Sequence, residues 1–117
     1  MKVSAFVSNI LHSRTQAHIF HLGTKKYSTH KALDSYYNSI IPLVDSFVEA
    51  YQGKYSLIKG YSSPKIINGT SDQVVMKYFK NLVKSISKFK VKDSYLQNLI
   101  DSIIELLYST MYKLSLK

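Results

Sequence analysis

The sequence predicts an all-α protein: one four-helix bundle domain spanning residues 1–117. Three observations carry this prediction. Apolar residues recur at three- and four-residue spacings in four segments long enough for helices. Glycines and capping residues punctuate those segments. The stretch "GKYSLIKGYSSPKIING", from Gly53 to Gly69, separates the second segment from the third with three glycines and a proline. Two helical hairpins joined by such a crossover have the layout of a ferritin-like bundle.

The first helix is expected from about Ser4 to Leu22, with Val3, Phe6, Val7, Ile10, Ala17 and His21 on one stripe and Gly23 as its stop. The second begins at Thr24 or Ser28 and ends near Gln52, before Gly53. Its inward stripe is Leu33, Tyr37, Ile40, Val44, Phe47, Val48 and Tyr51. Pro42 lies inside it and removes the hydrogen bond to Asn38, so a kink is expected there. The crossover has room for a short helical turn. "TSDQ", Thr70 to Gln73, fits a capping box opening the third helix, whose stripe is Val75, Tyr78, Phe79, Leu82, Ile86 and Phe89. Asp93 is placed to cap the fourth, with Leu96, Leu99, Ile100, Ile103, Leu107, Met111 and Leu114 inward.

Composition narrows the function classes. With 45% hydrophobic and 20% charged residues the chain is globular. No apolar run reaches the ~18 residues of a membrane span, and the first residues lack the apolar core of a signal peptide, so a cytoplasmic or viral setting is expected. The absence of cysteine excludes disulfides and thiolate metal sites. The formal charge of +9 comes from fifteen lysines and one arginine, Arg14. Lysine meets phosphate as a point charge, whereas base reading favours arginine's fork. Any nucleic-acid binding is therefore expected to be non-specific. Lys77, Lys80, Lys84 and Lys88 form a stripe opposite the apolar face of the third helix. They offer either a phosphate-contacting surface or a solvated outer face. No nucleophile elbow, phosphate loop or zinc-finger spacing is present.

The chemistry concentrates between His18 and Glu49, which holds three of the four histidines and three of the seven carboxylates. Taking His30 as zero at about 100° per residue, Asp34 lies near 40°, Asp45 near 60° and Glu49 near 100°. These positions share one arc on the flank of the apolar stripe. Asp34 and Asp45 are nevertheless roughly 16 Å apart along the axis, too far for one ion within one helix. The positions are palindromic about a midpoint between Ser39 and Ile40. Two-fold antiparallel pairing of this helix would set His30 and Asp34 beside the partner copy's counterparts of Asp45 and Glu49, and would repeat the site at the other end. The turn at Gly23 is expected to bring His18 to the height of His30. Mixed imidazole and carboxylate ligands suit iron(II), with zinc or manganese as competitors. The competing reading is a polar helix flank facing water.

The arrangement H-x11-H-x3-D-x10-D-x3-E resembles the ferroxidase motif of Dps-type miniferritins, with matches at His18, His30, Asp34, Asp45 and Glu49. The run "AHIFHLGTKKYSTHKALDSYY" is similar to the family's sequence around it, and the resemblance covers about Leu11 to Gln52. The short, lysine- and tyrosine-rich chain also resembles small proteins of tailed phages that share this motif. The resemblance implies iron(II) bound at a two-fold interface, with His18, His30 and Asp34 from one chain and Asp45 and Glu49 from its partner. It further implies oxidation by peroxide or oxygen, protection against oxidative damage, and a twelve-subunit homo-oligomeric cage that stores ferric mineral. The departures of this sequence from the family leave a dimer without mineral storage open.

This sequence also departs from that pattern. Ile19 stands where the family has tryptophan, "VEAYQG" lacks the family's arginine, and no lysine-rich tail precedes the first helix. Outside the motif only Asp72, Asp93, Asp101 and Glu105 could nucleate mineral. A structural or interaction bundle, such as a virion component with a relic or structural metal site, is therefore the alternative. Among the remaining groups, His21 reads as a satisfied core histidine or an accessory ligand, and Tyr36 and Tyr37 as packing residues.

Overall fold

A computed structural model describes residues 1–117. Four helices form, α1 Val3–Gly23, α2 Tyr27–Lys54, α3 Asp72–Ile86 and α4 Ser94–Ser115, with no strand. α1 packs on α2, α2 on α4, and α3 on both α4 and α1, which closes a four-helix ring. Phe6, Phe20, Tyr36, Phe47 and Phe79 are fully buried at its centre. Phe6 stacks on Phe89 at 4.8 Å between ring centroids and meets Phe47 edge-on at 5.2 Å. Each such side chain contributes on the order of 2–3 kcal/mol by leaving water.

The apolar stripes of α3 and α4 fall inward as the periodicity predicts, through Val75, Phe79, Leu82 and Ile86 and through Leu96, Ile100, Ile103 and Leu107. α2 differs by one position. Tyr36 is the buried tyrosine, and its hydroxyl pairs with Ser13 Oγ at 2.7 Å, while Tyr37 is half-buried at the edge. Burial pushes the Tyr36 hydroxyl pKa far up. α2 runs through Pro42 as one element, with the proline on its exposed side. Water can satisfy the freed Asn38 carbonyl on that side.

The caps also shift from their expected places. Ser71, rather than Thr70, is the N-cap of α3 and accepts from Val74 N–H at 3.2 Å. Thr70 instead donates to the Gly23 carbonyl at the end of α1, at 3.2 Å. Ser71→Ala should therefore cost about 1 kcal/mol of unfolding free energy in urea titrations, and Thr70→Ala less. Asp93 occupies the N-cap position of α4 without a side-chain cap bond. Its carboxylate accepts from the Tyr55 hydroxyl, which ties the end of α2 to the start of α4 and pushes the Tyr55 pKa up to about 12.

The connection 55–71 contains no helical turn. It lies along α1 and runs in the same direction. Ser62 N–H donates to Ser8 Oγ at 2.9 Å, His12 Nε2–H donates to the Lys65 carbonyl at 3.0 Å, and Ile67 N–H donates to Gln16 Oε1 at 2.7 Å. The Gln16 amide returns a bond to the Ile67 carbonyl at 2.9 Å. This covering explains why α1 buries Ser4, Ser8 and Gln16, while Ser13 is buried against Tyr36. Gly60 starts the run beside Ser4 with φ +92°, a left-handed conformation that favours glycine.

Candidate metal centre

The site stands on the hairpin of α1 and α2. α1 continues to Gly23 and ends when the Thr24 N–H bonds the Phe20 carbonyl at 2.9 Å. α2 starts at Tyr27, so the turn centres on Lys25 and not on Gly23. An antiparallel neighbour then sets His30 opposite residues 20–21 of α1. His21, not His18, therefore lies at the height of His30, which corrects the expected register by about one turn.

The two rings stack at 3.6 Å between centroids, with planes 19° apart. Their hydrogen bonds are reciprocal: His21 Nδ1 donates to the His30 carbonyl at 2.8 Å, and His30 Nδ1 donates to the His21 carbonyl at 2.9 Å. Carbonyl oxygens accept only, so both protons sit on Nδ1 and Nε2 of each ring is the nitrogen left for a metal. A backbone carbonyl holding the second ring nitrogen is the usual support of a ligating histidine. The same bond satisfies one of α1's last carbonyls, so His30 also caps that helix. Nearly parallel rings cannot aim both lone pairs at one ion about 2 Å away, so one ring at most serves each ion in this arrangement.

Asp34, one turn beyond His30, is half-buried. The neighbouring Tyr37 hydroxyl holds its carboxyl below the ordinary aspartate value, and His21, Lys31 and His30 act in the same direction. Asn38 adds a bond to Asp34 Oδ1 at 3.2 Å. Tyr37 is raised in turn by the carboxylate. His18 is exposed and stacks on Tyr37 at 4.5 Å, at the level of Asp34's turn rather than with His30. A depressed aspartate pKa contributes stability above the unfolded-state value, which is lost as pH falls through the folded-state value. Tyr37→Phe should raise the Asp34 midpoint toward the ordinary value, read from carboxyl carbon shifts in an NMR pH titration. An unchanged midpoint would remove Tyr37 as the cause.

Asp45 and Glu49 lie on the other half of α2, exposed and without ion pairs; the single ion pair in the chain joins Lys26 to Asp72. Asp45 borders a shallow hollow with Leu11, Arg14 and Ile41. The structure thus stacks His21 on His30, keeps Asp34 one turn further along α2, sets His18 on Tyr37, and leaves Asp45 and Glu49 on the other half of the helix. No group of three or more histidine and carboxylate side chains converges on one metal position within one chain. By sequence His21 reads first as a satisfied core histidine and only second as an accessory ligand, and Tyr37 reads as packing. The signal for both was spacing, since residues 18 and 21, like 34 and 37, are neighbours on a helix face.

The fold and this face define a four-helix bundle with a divided imidazole and carboxylate surface along its first hairpin. The chain belongs to the Family of unknown function (DUF5856), whose pattern matches residues 21–114 and so includes His30, Asp34, Asp45 and Glu49 but not His18. It is also similar to the "Uncharacterized 14.6 kDa protein in mobD-ri intergenic region" of Enterobacteria phage T4. The two are 28% identical over 116 residues, which cover 99% of this chain and 90% of that protein. No solved structure matches the chain. No helix is long and apolar enough to cross a membrane.

Proposed function

We propose that two copies of this chain pair through the outer face of α2 as a miniferritin-like, iron-binding bundle. Iron(II) is the substrate at each of two reciprocal inter-subunit sites. The observation that carries this reading is the division of the donors. His30 and Asp34 stand at one end of the α2 face with their donor atoms prepared, and Asp45 and Glu49 stand unpaired at the other, at palindromic positions. A two-fold axis near Ser39 and Ile40 closes both sites at once. Half-sites without a second copy would otherwise expose four ligand-type groups in phase for no gain.

His30 and Asp34 of one subunit, with Asp45 and Glu49 of the other, form the donor set, and His18 and His21 flank it. Zinc or manganese would compete for such donors. One peroxide takes the electrons of two iron(II) ions and, with two protons, leaves two iron(III) ions and two waters. Molecular oxygen is the other candidate oxidant. This chemistry removes both ingredients of hydroxyl radical formation and would limit oxidative damage. The phage relative supports the cytoplasm of an infected cell, or a virion, as the setting. The exposed lysines of α3 would permit weak, non-specific DNA contact. A dimer is the minimum assembly, and a twelve-subunit cage would require further contacts.

Anaerobic iron(II) titration followed by a peroxide pulse tests this reading on wild type and on the His30→Ala/Asp45→Ala variant. Saturable binding and a fast ferric signal, both lost in the variant, are expected. Binding no greater than the variant's background would overturn it. The result would then favour the second reading, a non-catalytic structural or interaction bundle. That reading has its own supporting observation: His21 and His30 already clasp the α1–α2 turn by stacking and reciprocal bonds.

A further inference from the structure

A cleft of about 500 Å³ opens between α1, the connection 55–71 and α3, and shares no lining residue with the imidazole and carboxylate face. Its apolar surface includes Ile67, Val74 and Leu82, and its polar rim includes Lys65, Lys77 and Asn81. This size falls within the range of small-molecule sites, as does an apolar surface with a few polar groups. The geometry points to a binding site for a small organic anion: a flat apolar body with a carboxylate, sulfonate or phosphate head.

The walls of the cleft are tied in place. His12 bonds the Lys65 carbonyl on one wall, and its Nδ1 meets the Tyr78 hydroxyl of the other at 2.9 Å. Gln16 holds Ile67 through both of its backbone polar groups. The cleft therefore keeps its shape without a ligand, which reduces the ordering cost of binding.

The charge around the cleft is one-sided. Two lysines, Lys65 and Lys77, are among the lining residues, with no carboxylate among them. Neither Lys65 nor Lys77 has an ion pair. The chain has only seven acids. Asp72 is held by Lys26, Asp93 by Tyr55, and the other five lie on α2 and α4, outside the lining. Nothing nearby neutralises the lysines, so an anion entering over the apolar surface meets two unopposed cations. Lysine's point charge suits a rounded anionic head without selecting its geometry.

The probe is 8-anilinonaphthalene-1-sulfonate, with its uncharged analogue N-phenyl-1-naphthylamine as the comparison. The full chain should bind one sulfonate per copy, saturably. Affinity should fall about tenfold or more in Lys65→Ala/Lys77→Ala and in Asn81→Trp, which fills the rim. Thermal midpoints should stay unchanged, because all three positions are exposed. The neutral analogue should bind more weakly and be indifferent to the lysine change. Amide shift mapping on wild type should place the perturbations at Ile67, Val74 and Asn81. Non-saturable binding, equal affinity in every variant, or shifts centred on Leu11 and Ile41 would overturn the site. Equal binding of the two probes would overturn its anion preference. Iron binding plays no part in any of these readouts.

Discussion

Refolding a one-to-one mixture of His30→Ala and Asp45→Ala subunits should restore iron(II) sites that neither variant holds alone. Each variant by itself breaks both sites of a two-fold dimer, because every site needs His30 from one chain and Asp45 from the other. Losing the supporting group of a ligand already costs about 10- to 100-fold in metal affinity, and losing the ligand itself should cost at least that much. In a mixed dimer one site contains both substitutions, and the other contains neither. Random pairing makes half the dimers mixed, so about a quarter of the wild-type sites should return. Stoichiometry from the anaerobic titration measures that fraction directly. If each ion were held within one chain, the mixture would give only the average of its two parents. No recovery above that average would remove the inter-subunit arrangement, even if iron bound the wild type.

The fold was largely legible because its helices are written in short-range spacing. The stripes from Leu33 to Phe47, Val75 to Ile86 and Leu96 to Leu107 needed only the helical period and a glycine or cap at their ends. Features one residue wide were harder to read. Thr70 and Ser71 are both competent caps, and which one serves depends on the Gly23 carbonyl that Thr70 finds across the bundle. Asp93 was a sound cap by type, yet the distant Tyr55 takes its carboxylate. Local sequence does not record either competition. The hairpin register at the candidate site was hard to read for the same reason, and it differs by about one turn. The ligand types and their phase on α2 were readable, but the pairing of α1 with α2 depends on where the turn centres. Moving that centre from Gly23 to Lys25 replaced His18 with His21 opposite His30. The path of the connection was also encoded, in Ser4, Ser8, His12 and Gln16 at four-residue spacing, a polar row that reads like a solvated face.

Gln16→Leu should be the most damaging substitution on that polar row. Gln16 is fully buried, and its amide replaces the partners that Ile67 would have in a sheet, one bond in each direction. Leucine has nearly the same volume, so packing changes little, but the Ile67 N–H and carbonyl lose their partners together. Ile67 is itself exposed, so water can take up part of what Gln16 leaves; two lost hydrogen bonds at about 0.5–1.5 kcal/mol each give a loss of about 1–3 kcal/mol. Against the 5–15 kcal/mol typical of a whole domain this is a sizeable share, and it should lower the thermal midpoint by about 5 °C or more. Ser8→Ala removes a single bond to the Ser62 N–H nearer the open start of the connection, and should cost only about 0.5–1.5 kcal/mol. Circular dichroism melts of the two variants give the ranking, and amide exchange at Ile67 gives the location. A midpoint within about 2 °C of wild type in Gln16→Leu would mean that water fully replaces Gln16 at Ile67. The connection would then be a loosely held strap, and its register on α1 would no longer depend on Gln16.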